Sequence, residues 1–341
     1  MVVRLLALLI FGWVTAAQAQ PLLVSDAQIL ALKGDAKLVR SLIKKCDSEL
    51  GSPDHAVADF APQPHYSATG ANPDDGQAKG FTDDVRMAYR AALCFRISGD
   101  SKYAKHTHRL ADAWANTLKL ASTAQGRSDI NFNVAQLVVA ASWVQDGWNE
   151  KPFAAWLKNI VAPMTLSAAT NNRGIWGNLL DLTIADFTND KAGFQKATAR
   201  WQELLLSGVA DDGTMPMEIC RSNSSDHCDG ADKGVNGIAY THYALLPAWL
   251  SASILSERDA KTLATPAGKK LELAFSKAAE FTAHPETFPY FNSNHGHLNK
   301  LDHCGYFALA LRSVDNKNAR DVLTAGTCKS DIWMLQKLFS N

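Results

Sequence analysis

The densest group of side chains able to do chemistry is the run Asn171-Asn172-Arg173-Gly174-Ile175-Trp176-Gly177-Asn178. Carboxamides, a guanidinium and an indole open what reads as a helix, with Asn171 or Asn172 as its cap. Amide donors beside an Arg at a helix N-terminus suit a carboxylate, because free N–H groups and a guanidinium fork both favour an anion. A second run, Ala239-Tyr240-Thr241-His242-Tyr243-Ala244-Leu245-Leu246, follows Pro216-Met217-Glu218 and a loop that holds Arg221 and Lys233. On a helix Tyr240 and Tyr243 lie three apart and share a face, while His242 points elsewhere. A tyrosine close to cations can yield its proton and serve as a base. Both runs also have a plain reading: a capped helix with a core Trp, and two core tyrosines with hydroxyls at the rim.

The remaining candidates are thinner. His295 and His297 in an Asn-rich turn, with His303 after it, are placed to bring a base or a metal to a cleft rim, although such turns are commonly only solvated. Asp83, Asp84 and Glu218 are the carboxylates a hydrolase would draw on, and Asp83 and Asp84 read equally well as charges favourable to a helix dipole. No Gly-rich phosphate loop is present, and no cofactor or metal is expected.

What must position these groups is helical. Apolar residues recur at i, i+3, i+4 and i+7, predicting helices over roughly 26–48, 81–97, 101–118, 131–147, 152–169, 173–188, 191–208, 236–255, 267–283, 298–313 and 330–339. Ser98-Gly99-Asp100 and Thr188-Asn189-Asp190 each stop one helix and cap the next, so the repeated unit is a helical hairpin. Stretches 51–80, 210–235 and 284–297 escape the pattern, and loops this long are usually functional or disordered. No linker or charge run divides the chain, which predicts one domain over 20–341.

Composition narrows the function. With 34 basic and 34 acidic side chains in 341 residues the net charge is zero. No global field exists to hold nucleic acid or an anionic membrane, and any polyanion must be held by a local patch. Arg4, the apolar run Leu5 to Ala16 and Ala17-Gln18-Ala19 read as a signal peptide cut after Ala19, leaving a periplasmic or secreted chain with no membrane span, expected to act as a monomer. Export makes the even count of six cysteines a disulfide framework, and short loops favour Cys220 with Cys228, Cys304 with Cys328, and Cys46 with Cys94. The alternative is zinc, since His227 adjoins Cys228 and His303 adjoins Cys304, but no C-x-x-C pair exists.

Taken in order, N-N-R-G-I-W, P-M-E and A-Y-T-H-Y-A-L-L-P resemble the alginate lyase superfamily of polysaccharide lyase family 5 and its relatives, which carry N-N-H-x-x-W, P-x-E and Y-H-x-Y-A-L-x-P. Thr82-Asp83-Asp84, Ala88-Tyr89, Ser98-Gly99-Asp100-Ser101-Lys102-Tyr103-Ala104 and Ala113-Trp114-Ala115 are similar to the first helical pairs of that superfamily, so the resemblance spans roughly 60–260. It implies an all-α fold, an incomplete (α/α) toroid or barrel of helical hairpins, and β-elimination of an anionic polysaccharide. Tyr240 matches the catalytic Tyr and Asn172 the carboxylate-binding Asn. Arg173 stands where the family has His, Lys233 where it has Arg, and Thr241 where a His follows the Tyr. Arg221 is an equal candidate for the assisting cation. Asn171, Trp176, His242 and Tyr243 are expected near substrate, and His65-Tyr66 resembles a lid element of the superfamily. Trp176 and Trp143 are candidates for sugar stacking or for the core.

The chemistry follows from the substrate. H5 of a uronate is weakly acidic, and its removal becomes feasible only when the adjacent carboxylate is neutralised as charge moves into it, a task suited to Asn172 and Arg173. In mannuronate and glucuronate H5 and the O4 leaving group lie on one face, so one tyrosine can serve as base and then acid. In guluronate and iduronate they lie on opposite faces and two groups are needed. Arg173 in the His position removes the usual second group, so syn-elimination by Tyr240 on a β-linked mannuronate or glucuronate polymer is expected. A non-catalytic polyuronate-binding protein, an inverting glycoside hydrolase on the same scaffold and a structural partner of an export machine are the rivals.

Overall fold

The computed structural model describes residues 21–64, 66–67, 70–71, 76–223 and 228–329, with only the backbone at 66–67 and 70–71. The expected signal peptide, the helix at 330–339, His65, the Tyr66 side chain and His227 lie outside the described residues.

The chain runs through α1 (Asp26–Lys33), α2 (Ala36–Glu49), a two-strand hairpin of β1 (Tyr66–Ser67) and β2 (Gly70–Ala71), then α3 (Gln77–Ser98), α4 (Ser101–Thr117), α5 (Ala124–Ser142) and α6 (Lys151–Trp156). It continues with α7 (Asn172–Phe187), α8 (Lys191–Gly208), the short α9 (Pro216–Ile219), α10 (Gly237–Arg258), α11 (Pro266–Ala283), α12 (Phe307–Ala310) and α13 (Lys317–Thr324). Helices α3, α5, α7 and α10 pack side by side in that order as an inner arc, with α4 against α3, α8 against α7, and α11 against α10 and α8 outside it. This is an incomplete (α/α) toroid of antiparallel hairpins. The inner helices are apolar almost all round: Leu137, Val138, Leu179, Leu180, Leu245 and Leu250 are all buried.

The expected boundaries form for the expected reasons. Gly99 closes α3 at φ 74°, a left-handed conformation glycine tolerates, and the Asp100 side chain accepts from the Lys102 N–H at 3.0 Å to open α4. Asn189, at φ 53°, and Asp190 repeat the device before α8. All three favoured disulfides form: Cys46–Cys94, Cys220–Cys228 and Cys304–Cys328.

Four spans depart from the periodicity. The stretch 26–48 breaks at Gly34-Asp35, where Asp35 caps a second helix. Helix α5 starts seven residues before 131, because Thr123 supplies the cap. The stretch 152–169 tightens and loosens through a π turn at Leu157–Val161 and a 3-10 turn ending before Thr165, with Pro163 unable to donate to a regular ladder. The stretch 298–313 is mostly turns, and only Phe307–Ala310 is helical.

Candidate functional site

One mouth of the arc opens into a cleft of about 650 Å³ where the N-terminal ends of α5, α7 and α10 converge. Its position follows from α7. Asn171 is the cap, with its side chain accepting from the Arg173 N–H at 3.1 Å, so Asn172 and Arg173 form the first turn and face the opening. Gly174 and Gly177 allow this: a Cβ on Gly174 would meet the Ala169 carbonyl oxygen at 1.9 Å, and one on Gly177 the Ser167 nitrogen at 2.4 Å. The backbone of 166–169 therefore crosses directly over the helix start and holds it in place.

Beneath Asn172 lies Glu218, 1% exposed, whose carboxylate accepts from the Asn172 N–H at 2.6 Å and from Asn172 Nδ2 at 2.8 Å. Burial pushes the Glu218 carboxyl up to about 7, opposed by the two Asn172 hydrogen bonds and by the Arg221 and Arg173 charges. With Nδ2 tied to Glu218, the Asn172 amide has a set orientation at the cleft wall.

The loop between α9 and α10 brings in the cation. Cys220 is linked to Cys228, the Gly234 N–H donates to the Cys220 carbonyl at 3.0 Å, and the Asn236 N–H donates to the Arg221 carbonyl at 3.0 Å. That fold-back seats the Arg221 guanidinium over the Tyr240 ring, 4.4 Å from its centroid. Lys233 is instead exposed, with its ammonium 5.7 Å from the Tyr290 ring centroid, and does not line the cleft. Between the two cations the sequence left open, Arg221 is the one beside Tyr240.

Tyr240 and Tyr243 both line the cleft, as their spacing requires. Tyr243 is wedged against Phe132 and Trp176, each ring centroid 5.2 Å away, and burial raises its phenol well above the ordinary range. Its phenol therefore stays protonated. Helix α5 adds Gln125, Ser128 and Phe132 to the lining. A further wall comes from Asn299, Lys300 and His303. The described lining thus holds Arg173, Arg221, Lys300 and His303 but no Asp or Glu, a local positive surface on a chain of zero net charge.

Several expected contacts are not made. His242 points away from the cleft into the core, where its ring nitrogens meet the Tyr306 hydroxyl and Thr282 Oγ1, each at 3.2 Å, and burial lowers it to about 3. Two residues beyond Tyr240 on a helix is more than a right angle around the axis, so both cannot face substrate. Trp176 is 3% exposed and supports Tyr243 from behind. Trp143 is core, donating to the Leu22 carbonyl at 2.8 Å. Asn171 serves as the cap and does not line the cleft. Asp84 is buried beneath His55 and Trp114, and Asp83 pairs with Lys79, so neither lines the cleft. His295 and His297 are exposed outside it, whereas His303 does line it. The sequence carries no signal for Gln125, Ser128, Asn236 or Asn299, and it marks Glu218 only as part of a family motif or as a hydrolytic acid.

A family model described as alginate lyase matches residues 44–288. Among solved structures, an alginate lyase from Bacteroides ovatus aligns at TM-score 0.69 and 15% identity, covering 94% of this chain and 99% of that one. Alginate lyase A1-III from Sphingomonas species A1 aligns at 0.67 and 15%, covering 87% of each chain. A variant of A1-III complexed with tetrasaccharide aligns at 0.64 and 15%, covering 85% of this chain and 83% of that one. No curated protein sequence matches.

Proposed function

We propose, from the premise that the chain belongs to the alginate lyase family and is a polysaccharide lyase of uronate polymers, that it cleaves a β-linked mannuronate or glucuronate polymer by syn β-elimination, with Tyr240 as base and then acid. The observation that carries this reading is the cleft lining: Asn172, Arg173 and Arg221 gathered around Tyr240, with no carboxylate among the described lining residues.

Asn172 and Arg173 receive the substrate carboxylate and neutralise it as the C5–H bond breaks and charge spreads into it. Tyr240 takes H5, and Arg221 above its ring stabilises the negative charge on the phenolic oxygen. The electrons of the C5–H bond become the C4–C5 double bond, the C4–O4 bond breaks, and the Tyr240 hydroxyl returns the proton to O4. The products are a fragment with a new reducing end, which carries O4 away, and a fragment whose non-reducing end is a 4,5-unsaturated uronate. Arg173, never a base at working pH, leaves this route to one tyrosine on one face. An inverting hydrolase needs two carboxylates roughly 6.5–9.5 Å apart across the cleft, and the described lining offers neither.

Three disulfides support an exported chain, periplasmic or secreted, with residues 1–19 as its signal and 20–341 as one domain acting as a monomer.

The test is ultraviolet absorbance of the conjugated product during incubation with polymannuronate, polyguluronate, glucuronan and mixed uronate polymers, beside Tyr240→Phe. The expected result is a rise on a mannuronate or glucuronate polymer that the variant reduces by at least about a thousandfold. A variant with near-full activity, or cleavage confined to polyguluronate, refutes the assignment. Binding without unsaturated ends marks a binding protein.

A further inference from the structure

The segment after α11 does something its periodicity does not announce. It is written with helical spacing, yet 298–306 folds as turns with Lys300 at φ 54°. A non-glycine residue in that region costs about 1–2 kcal/mol and persists only where the surroundings hold it. Here they do. The Asn299 N–H donates to the Val235 carbonyl and Asn299 Nδ2 to Asn236 Oδ1, both at 2.8 Å, which ties the segment to the start of α10. On its other side the Lys329 N–H donates to the Asp302 carbonyl at 2.7 Å, Lys329 pairs with the Asp302 carboxylate, and Cys304 is linked to Cys328. Between these two anchors Asn299, Lys300 and His303 are presented to the cleft.

This set of donors is on a different element from Asn172 and Arg173, and the elimination chemistry does not use it. The cleft, at about 650 Å³, falls in the size range that encloses drug-sized ligands, larger than one sugar ring. A polyuronate carries one carboxylate per sugar, so a chain lying along this cleft presents a second anion one sugar from the first. An ammonium, an imidazole N–H and a carboxamide on an immobilised turn are the groups that receive a carboxylate.

We propose that Lys300, His303 and Asn299 form a second carboxylate subsite, for the uronate adjoining the one on which Tyr240 acts, and that this subsite sets the chain length the cleft holds tightly. The inference rests on the polyuronate reading above and adds a position to it.

The test is calorimetric binding of mannuronate and glucuronate oligomers of increasing length, from monomer to tetramer, to Tyr240→Phe protein, alone and with Lys300→Gly or His303→Gln added. Glycine enters the left-handed region without strain, so Lys300→Gly keeps the turn while removing the ammonium, and an unchanged melting temperature checks this. The expected result is a Kd that falls about tenfold on lengthening from monomer to dimer, a gain worth one charge-assisted contact. Lys300→Gly cuts that gain to less than twofold and leaves monomer binding alone, while His303→Gln cuts it in part. An undiminished length dependence in both variants, or no binding of any oligomer, overturns the subsite. Turnover by the parent protein separates the two readings. Length dependence lost from a parent that makes no unsaturated ends retains the subsite and refutes the elimination, and a cleaving parent with unaltered length dependence refutes the subsite alone.

Discussion

Replacing Glu218 by Gln separates catalysis from folding at one atom. The Glu218 carboxylate takes both Asn172 donors, the N–H at 2.6 Å and Nδ2 at 2.8 Å. Gln has the same shape but one acceptor, so its amide nitrogen faces a donor. One hydrogen bond to a charged acceptor is lost and one buried donor is left unmatched, together about 2–3 kcal/mol against the native Asn172 orientation. If Asn172 bears on the carboxylate as charge enters it, that becomes about a 30- to 150-fold loss in kcat/KM. Stability does not follow, because the variant no longer buries an ionisable group that is costly to charge, and at pH 8 it stays within about 1 kcal/mol of the parent. The pH profile adds a second readout. Glu218 ionises at about 7, and protonation turns one acceptor oxygen into a donor that cannot receive Nδ2. The parent should therefore lose kcat/KM as pH falls through 7, and Glu218→Gln should lack that limb. Initial rates of double-bond formation across pH 5–9 on the polymer the parent cleaves, beside urea unfolding at pH 8, measure both. A variant that retains more than half of the parent kcat/KM with the limb intact refutes the positioning role.

Two further outcomes are expected. Removing the Cys304–Cys328 link by paired Ser substitutions opens a loop of 24 residues in sequence separation, costing about 3 kcal/mol by chain entropy. It should also raise KM more than it lowers kcat, since the cleft wall loosens while Tyr240 does not; equal losses in both would argue against that wall binding substrate. Glu257, like Glu218, is raised to about 7, chiefly by burial. A folded pKa above the unfolded one contributes stability that is complete below about 4.5 and lost as pH rises through 7. Urea midpoints at pH 5 and pH 8 should therefore show Glu257→Gln losing less stability than the parent over that interval, and equal losses would contradict the burial.

Whatever depends on neighbours within a few residues was legible in the chain. The hairpin boundaries at Ser98-Gly99-Asp100 and Thr188-Asn189-Asp190, the Asn171 cap, the shared face of Tyr240 and Tyr243, and the short Cys220–Cys228 link follow from local turn chemistry, helical spacing and loop length. The order of N-N-R-G-I-W, P-M-E and A-Y-T-H-Y-A-L-L-P carried the family and, with it, the all-α toroid. What the chain concealed lies in contacts between distant segments. Glu218 meets Asn172 across 46 positions. Arg221 displaces Lys233 at Tyr240 because a disulfide-closed loop folds back, which spacing from the tyrosine cannot register. The stretch 298–306 has helical periodicity, yet hydrogen bonds to Val235, Asn236 and Lys329 outweigh it and turn Lys300 and His303 into the cleft. Periodicity reports which face of a segment prefers burial. Which buried carboxyl lies under an amide, and which cation lies over a phenol, is decided only when the helices pack, because those energies belong to pairs that share no local sequence.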